Sequence, residues 1–369
     1  MDETLTLPAQ RVRHGPNPSG RRQVAAWLLV CCALVFAMVV VGGVTRLTLS
    51  GLSIVEWQPV MGTLPPLNEP QWQEVFDKYK LTPEYQKVNH GMSLDEFKGI
   101  FWWEFFHRLL GRMIGLVFFL PLLYFILRAR IDRSLAMRFV AIFLLGGLQG
   151  AVGWWMVKSG LIDDPRVSHL RLSIHLGIAF VIYAAMLWTA LDLLTPVRAV
   201  VTNSATRRLA RYGKGLCALI FVMALSGGLV AGTRAGYAYN TFPLMNGYVI
   251  PPEILMLEPW WENFLHNMAT VQFNHRLIAW ALVLAIPTFW LMSRRTRIGG
   301  RARFAAGLLL AMLGVQVALG LTTLLLGVPI PVAAAHQAGA LLLFSLALWT
   351  THELSRGDRS NQKDAQKDA

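Results

Sequence analysis

The sequence contains few charged residues for its length. Only 15% of its 369 residues are charged and 54% are hydrophobic, whereas a typical soluble domain has about 25% charged residues. The hydrophobic residues also occur in long runs without charge. This shortage of charge excludes an ordinary soluble protein and indicates a chain that lies in lipid.

Cysteine is also scarce, with three residues in the chain. Cys31, Cys32 and Cys217 all fall within long apolar runs, which excludes a disulfide framework in the loops. The first 23 residues lack the pattern of a cleaved signal peptide. We therefore expect the first apolar run to be retained as a membrane helix.

Eight apolar runs approach the length of about 20 residues that an α-helix needs to cross a bilayer. The predicted fold class is therefore an all-α polytopic membrane protein with eight transmembrane helices. The runs lie at residues 24–45, 109–127, 137–157, 172–191, 215–233, 277–293, 304–326 and 332–351.

The net charge of +13 comes from basic residues that are placed unevenly. Most of them lie in the two tails and in the loops after the second, fourth and sixth runs, all on one side of an eight-span protein. This positive-inside pattern predicts that both termini are cytoplasmic, and it argues against nucleic acid as a partner. The lack of an Arg/Ser-rich presequence favours a bacterial inner membrane.

The segments between the runs define the predicted domains. Each half contains four spans, and only one loop is large. The predicted parts are a cytoplasmic tail at 1–23, a first half at 24–195 that includes the outer loop at 46–104, a cytoplasmic linker at 196–214, a second half at 215–352, and a disordered cytoplasmic tail at 353–369.

The loop at 46–104 has helix signals of its own. Residues 68–88 are amphipathic, with Trp72 and Phe76 on the apolar face. Ser93, followed three residues later by Glu96, matches a capping box. We expect a helix to begin there and to continue into the second span.

The second half repeats motifs of the first half in the same order. Because each copy has an even number of spans, both copies have the same orientation in the membrane. We therefore predict two pseudo-symmetric four-helix bundles. The matching residues are Gly42-Gly43 with Gly227-Gly228, Arg46 with Arg234, Glu104, His107 and Arg108 with Gln272, His275 and Arg276, Gln149 with Gln316, and His175 with His336.

Four of the nine histidines lie in this repeat, on helices that run in the same direction. Their side chains should therefore lie at one depth, near the outer face. An ionisable group inside a membrane usually marks a functional site, and the structural alternative is a neutral histidine that bonds a neighbouring helix. Two histidines on facing helices fit a haem iron ligated on both faces better than zinc, which takes four ligands, or three and a water.

The two copies differ three residues before the first histidine, where Glu104 corresponds to Gln272. A carboxylate beside a haem can exchange protons or stabilise positive charge on a substrate. The alternative is that Glu104 only balances Arg108. Arg108 and Arg276 are candidates to pair with haem propionates, or they simply reach the interface. The asymmetry suggests a reactive first half and a second half that transfers electrons or supports structure.

Together these motifs resemble the haem A synthase family, membrane enzymes that convert haem O to haem A for terminal oxidases. The resemblance covers nearly the whole chain, through Glu-x-x-His-Arg at 104–108, Asn-His-Arg at 274–276 and the histidines of spans four and eight. It implies an oxidoreductase that oxidises the C8 methyl group of haem O to a formyl group. Because outer-loop cysteine pairs are missing, the chain resembles the proteobacterial and mitochondrial branch.

The resemblance also implies residue roles and partners. His107 and His175 would ligate the iron of the substrate haem O, and His275 and His336 the iron of a haem b cofactor, with Glu104 as catalytic carboxylate. Haem O synthase and oxidase assembly factors are the implied partners. The sequence identifies no electron donor and is compatible with a homo-oligomer.

Two other functions remain open at this point. A haem transporter or chaperone needs access from both membrane faces, whereas the four histidines are predicted at one face. A dihaem electron carrier has no evident use for Glu104 opposite Gln272.

Overall fold

The protein is an α-helical membrane protein. Its computed structural model describes residues 18–57, 61–161, 165–195 and 204–356, and within these ranges it has no β-strand beyond one isolated bridge. Eight helices are long and apolar enough to cross a membrane, which confirms the predicted fold class. The helices are α1 (Pro18–Leu47), α2 (Glu69–Lys80), α3 (Pro83–Lys87), α4 (Leu94–Leu127), α5 (Arg133–Gly160), α6 (His169–Leu194), α7 (Ser204–Thr233), α8 (Ala235–Ala238), α9 (Asn263–His266), α10 (Met268–Arg295), α11 (Gly300–Leu325) and α12 (Ile330–Ser355).

Five of the eight membrane helices extend past both ends of their apolar runs, and the other three, α4, α7 and α11, extend past the first end only. Helix α1 begins within the segment predicted as a tail, α7 begins within the predicted linker at 196–214, and α12 ends within the predicted tail at 353–369. Arginine and lysine are good helix formers, and their long side chains reach past the apolar layer. The rest of these predicted segments, at 1–17, 196–203 and 357–369, lies outside the described residues.

The two halves use the same helix contacts. In the first half α1 and α5 each pack against both α4 and α6, and in the second half α7 and α11 each pack against both α10 and α12. The halves meet where α6 packs against α7 and where α1 packs against α12. The contacts are those expected of two equivalent four-helix bundles, and the pseudo-symmetry itself stays a prediction.

Residues between 69 and 105 form a small domain on the N-terminal part of α4. Ser93 and Glu96 form the predicted capping box, in which the Glu96 carboxylate accepts from the Ser93 amide at 2.8 Å and the Ser93 hydroxyl oxygen accepts from the Glu96 amide at 3.3 Å. Trp72 and Phe76 of α2 are buried against the aromatic side chains of α4. The amphipathic helix and the helix start predicted in this loop are thus confirmed.

A carboxyl group is buried inside this loop domain. Glu84 is 4% exposed and accepts a hydrogen bond from the Tyr79 hydroxyl at 3.1 Å. Burial raises the pKa of Glu84 from 4.5 to about 7. Because the pKa is higher in the folded protein than in the unfolded chain, the stability that Glu84 contributes is complete below pH 4.5 and is lost as the pH rises through about 7.

We expect Glu84→Gln to stabilise α2 and α3 at pH 8, by up to about 3 kcal/mol, and to have little effect at pH 4.5. Hydrogen exchange of residues 69–87, corrected for the intrinsic pH dependence of exchange, measures this difference. Glu74→Gln, on the exposed face of α2, is the control and should show no such dependence. Equal protection from hydrogen exchange in Glu84→Gln and the parent at both pH values would contradict the raised pKa of Glu84.

Candidate haem-binding site

The side chain of each of the four predicted histidines packs directly against a glycine of a neighbouring helix. The contacts leave no room for a side chain, because carbon atoms normally pack at about 3.5–4.0 Å. A Cβ atom placed on each glycine would lie 2.9 Å from His107 at Gly42, 2.9 Å from His175 at Gly153, 3.3 Å from His275 at Gly227, and 2.9 Å from His336 at Gly320.

The histidines form two pairs, one in each half. His107 of α4 interacts electrostatically with His175 of α6, and His275 of α10 with His336 of α12. All four side chains are half-buried. Two imidazoles from facing helices, each free of a large neighbour on one edge, fit the axial positions of a haem iron.

Polar neighbours orient the histidines of the second half. The Ser226 hydroxyl lies 2.8 Å from Nδ1 of His275, and the Gln316 amide lies 3.2 Å from Nδ1 of His336. A partner on one ring nitrogen fixes the ring and directs the other nitrogen towards a metal. Sequence reasoning missed Ser226, although it directly precedes the repeated Gly227-Gly228 pair.

The histidines of the first half are held less firmly. Val41 takes the place of Ser226, directly before Gly42, and so offers His107 no hydroxyl group. Nδ1 of His175 is buried and has no hydrogen-bond partner among the described residues. A buried polar atom without a partner is costly, so this site has an unused capacity to bind a polar group or a metal.

Two glutamines link the histidine helices to their neighbours. The Gln149 amide donates to the His175 carbonyl at 3.0 Å, and the Gln316 amide donates to the His336 carbonyl at 2.9 Å. The repeat therefore preserves a contact between helices as well as the histidines. Both glutamines thus have a structural role, because each connects two helices.

Glu104 is a fixed, buried anion. Its side chain is 2% exposed, and its carboxylate accepts from the Ser53 hydroxyl at 2.7 Å, from the Ile54 amide at 2.8 Å and from Nε of Arg108 at 3.0 Å. Arg108 also donates to the carbonyls of Ile54 and Glu56. Glu104 therefore does balance Arg108, and together they attach residues 53–56 to α4.

The equivalent position of the second half has no carboxylate. Gln272 is buried, and its carbonyl oxygen has no partner among the described residues. Arg276 donates to the Tyr239 carbonyl at 2.9 Å and lies 3.4 Å from the Leu244 carbonyl. Within the described ranges no acidic side chain forms a salt bridge with Arg276, so its charge is available to an anionic ligand.

Two further arginines lie near the histidine end of the bundles. Arg46 near the end of α1 and Arg234 after α7 are close enough to repel each other. In the part of the chain that the structure describes, no carboxylate lies within salt-bridge distance of either. The repeat contained both arginines, but their mutual proximity was not predictable, because they lie in different halves.

Comparisons with known proteins show what the chain is similar to. The profile of the cytochrome oxidase assembly protein family matches residues 25–348. Proteins named "Heme A synthase" from Nitrosospira multiformis, Nitrosomonas eutropha and Parvibaculum lavamentivorans are 64%, 58% and 49% identical to the chain. The alignments cover 96%, 90% and 90% of this chain and 99%, 94% and 94% of the respective relatives.

The glycine contacts predict the effect of a single added methyl group. Gly320→Ala should displace the His336 ring, destabilise the packing by about 1–3 kcal/mol and lower the haem content of the purified protein. Gly314→Ala on the same helix has open space at this position and is the matched control. The pyridine haemochrome assay measures both variants, and equal haem content in the two would contradict the contact.

Proposed function

The chain belongs to the cytochrome oxidase assembly protein family, and from this membership we propose that it is a haem A synthase, an enzyme that oxidises the C8 methyl group of haem O to a formyl group. The main support is its similarity to relatives of that name, at 49–64% identity over at least 90% of the chain. The matched residues 25–348 include all four paired histidines and Glu104.

The two histidine pairs have different roles in this proposal. His275 and His336 hold haem b, because both rings have a polar neighbour that fixes their orientation. A bound haem b supplies one-electron transfer. His107 and His175 bind the iron of the substrate haem O, and the unpartnered Nδ1 atom of His175 suits a site that binds and releases its ligand.

Glu104 is the proposed catalytic carboxylate. It lies three residues before His107, on the same side of α4, and it is held in place before any substrate binds. A preorganised buried carboxylate stabilises positive charge that develops on a reacting group. Transfer of two electrons from the substrate methyl group to an external oxidant, with loss of one proton, would create such charge, and addition of water with loss of a second proton would then give the hydroxylated intermediate.

The arginines of the two halves are not equivalent in this proposal. Arg108 is a positioning residue, since its contacts are with Glu104 and with the backbone at residues 54–56. Its expected contact with a haem propionate stays a prediction. Arg276 is held only by carbonyl groups and is therefore the better candidate to pair with a propionate of haem b.

The membrane topology and the partners complete the proposal. The chain is a multi-pass membrane protein, and the placement of its basic residues supports a bacterial inner membrane with cytoplasmic termini and periplasmic histidines. Haem O synthase would supply the substrate, and assembly factors of terminal oxidases would receive the product. The redox partner that exchanges electrons with the protein is unidentified.

Glu104→Gln should reduce haem A formation by about 100-fold or more while haem binding is retained, because it removes the charge but keeps the shape. Chromatography of haems extracted from cells with a haem O source measures haem O, the hydroxylated intermediate and haem A. Gln272→Glu, at the matched position, should leave haem A formation intact. Full haem A formation by Glu104→Gln would remove Glu104 from the mechanism.

If the parent protein forms neither haem A nor the hydroxylated intermediate in that assay, the proposed enzyme function is wrong. A haem transporter or an electron carrier would then account for the histidines. This outcome is distinct from a failure of Glu104 alone, because it concerns the unaltered protein.

Substitution of the histidines tests the assignment of the two halves. His275→Ala should abolish the haem b spectrum, whereas His107→Ala should retain haem b and lose bound haem O. Absorbance spectra of the purified variants and analysis of the extracted haems measure both losses. The reverse pattern would exchange the roles of the two halves.

A further inference from the structure

A second cluster of charged residues lies far from the histidines. Asp192, at the end of α6, and His352, near the end of α12, are each 16 or 17 residues past the histidine of the same helix, which places the cluster about 25 Å away along the bundle. The Asp192 carboxylate contacts Nε2 of His352 at 2.9 Å and also pairs with Arg356. The proposed haem chemistry uses none of these residues.

Two arginines of the first half also contact Asp192. Nη1 of Arg138, near the start of α5, lies 3.7 Å from the Asp192 carboxylate, and Arg21 of α1 donates to the Asp192 carbonyl at 3.2 Å. With Arg356, three guanidinium groups therefore lie around Asp192, two at its carboxylate and one at its backbone carbonyl. Among the residues that the structure describes, the cluster has more positive than negative charges, and these arginines repel one another unless an anion is present.

The three arginines line a cavity. Its volume is about 340 Å³, and we call it the arginine cavity, after Arg21, Arg138 and Arg356 in its wall. It is open to the outside, since the side chains of Arg138 and Arg356 are 49% and 32% exposed. The Thr189 hydroxyl in the same wall donates to the Ala185 carbonyl at 2.7 Å, so the donors open to an anion are the guanidinium groups. An anion can therefore enter and meet several donors at once.

The surroundings of the arginine cavity are apolar. Leu135 and Leu193 form part of its wall, and Met137 and Leu194 beside it are exposed. Guanidinium groups bind phosphate through paired hydrogen bonds, and basic pockets between membrane helices bind the headgroups of anionic lipids. A ligand that combines a phosphate with acyl chains would satisfy both parts of this surface.

We propose that the arginine cavity binds the phosphate headgroup of an anionic phospholipid. The cavity joins Arg21 and Arg138 of the first half to Arg356 of the second half, so the lipid contacts both bundles. The phosphate of the lipid neutralises the positive charge of the arginines that the Asp192 carboxylate does not balance. The same phosphate chemistry would also bind free inorganic phosphate, and the experiment distinguishes the two sources.

The double variant Arg21→Gln/Arg138→Gln tests the site without breaking the Asp192 contacts with His352 and Arg356. Native mass spectrometry of the full-length protein in detergent, titrated with cardiolipin, phosphatidylglycerol or phosphatidylcholine, measures lipid binding. We expect the parent to retain the two anionic lipids in preference to phosphatidylcholine. The double variant should weaken that binding by about tenfold or more.

A matched control removes the same charge elsewhere. Arg295→Gln/Arg303→Gln changes two exposed arginines of α10 and α11 and should leave lipid binding within about twofold of the parent. Equal loss in both double variants would show general attraction to basic residues and would overturn the site. Binding of inorganic phosphate without retention of any anionic lipid would overturn the lipid assignment.

A second variant distinguishes loss of the site from a folding defect of the double variant. Leu135→Trp fills the arginine cavity while all three arginines remain, and it should also lose the anionic lipid. The melting temperature and the haem content show whether each variant is folded. Retention of the lipid by a folded Leu135→Trp protein would overturn the proposal.

Discussion

The contact of each histidine ring with a glycine of the next helix determines much of this structure. His107 and His336, for example, lie so close to Gly42 and Gly320 that a methyl group would collide with the ring. An imidazole inside an apolar bundle can remain there only where the neighbouring backbone leaves room and offers few apolar side chains against it. The glycines therefore allow these helices to approach closely, and each half contains two of the four contacts.

The charges around these equivalent contacts are what distinguish the two halves. In the first half Glu104 and Arg108 form a buried ion pair that also binds the loop at residues 53–56. In the second half Gln272 and Arg276 meet only backbone carbonyls. One half thus holds a preorganised anion beside its histidine, and the other holds a cation that is ready for an anionic group. On this difference rests the proposal that the first half holds the reaction site and the second half a cofactor site.

The two ends of the bundle also stabilise it in different ways. At the histidine end, the small aromatic domain around Trp72 supports α4 above Glu104. At the other end, Asp192 connects α6 to α12 through His352 and Arg356 and so holds the halves together. Charged groups are expensive near lipid unless they are paired. Glu104 and Asp192 are both paired in this way.

The amino-acid sequence by itself determined the eight spans, the helix start at Ser93 and the four paired histidines, because hydrophobic length, capping and the repeat are local patterns. It placed the start of every membrane helix too late, since apolar length does not register polar and basic first turns such as those of α7 at residues 204–214. Only the tertiary structure decided that Ser53 and Ile54 bind Glu104, that Ser226 orients His275, and that Arg21 meets Asp192. These residues are between 49 and 171 positions apart, and no local pattern encodes which of them the packing of the helices brings together.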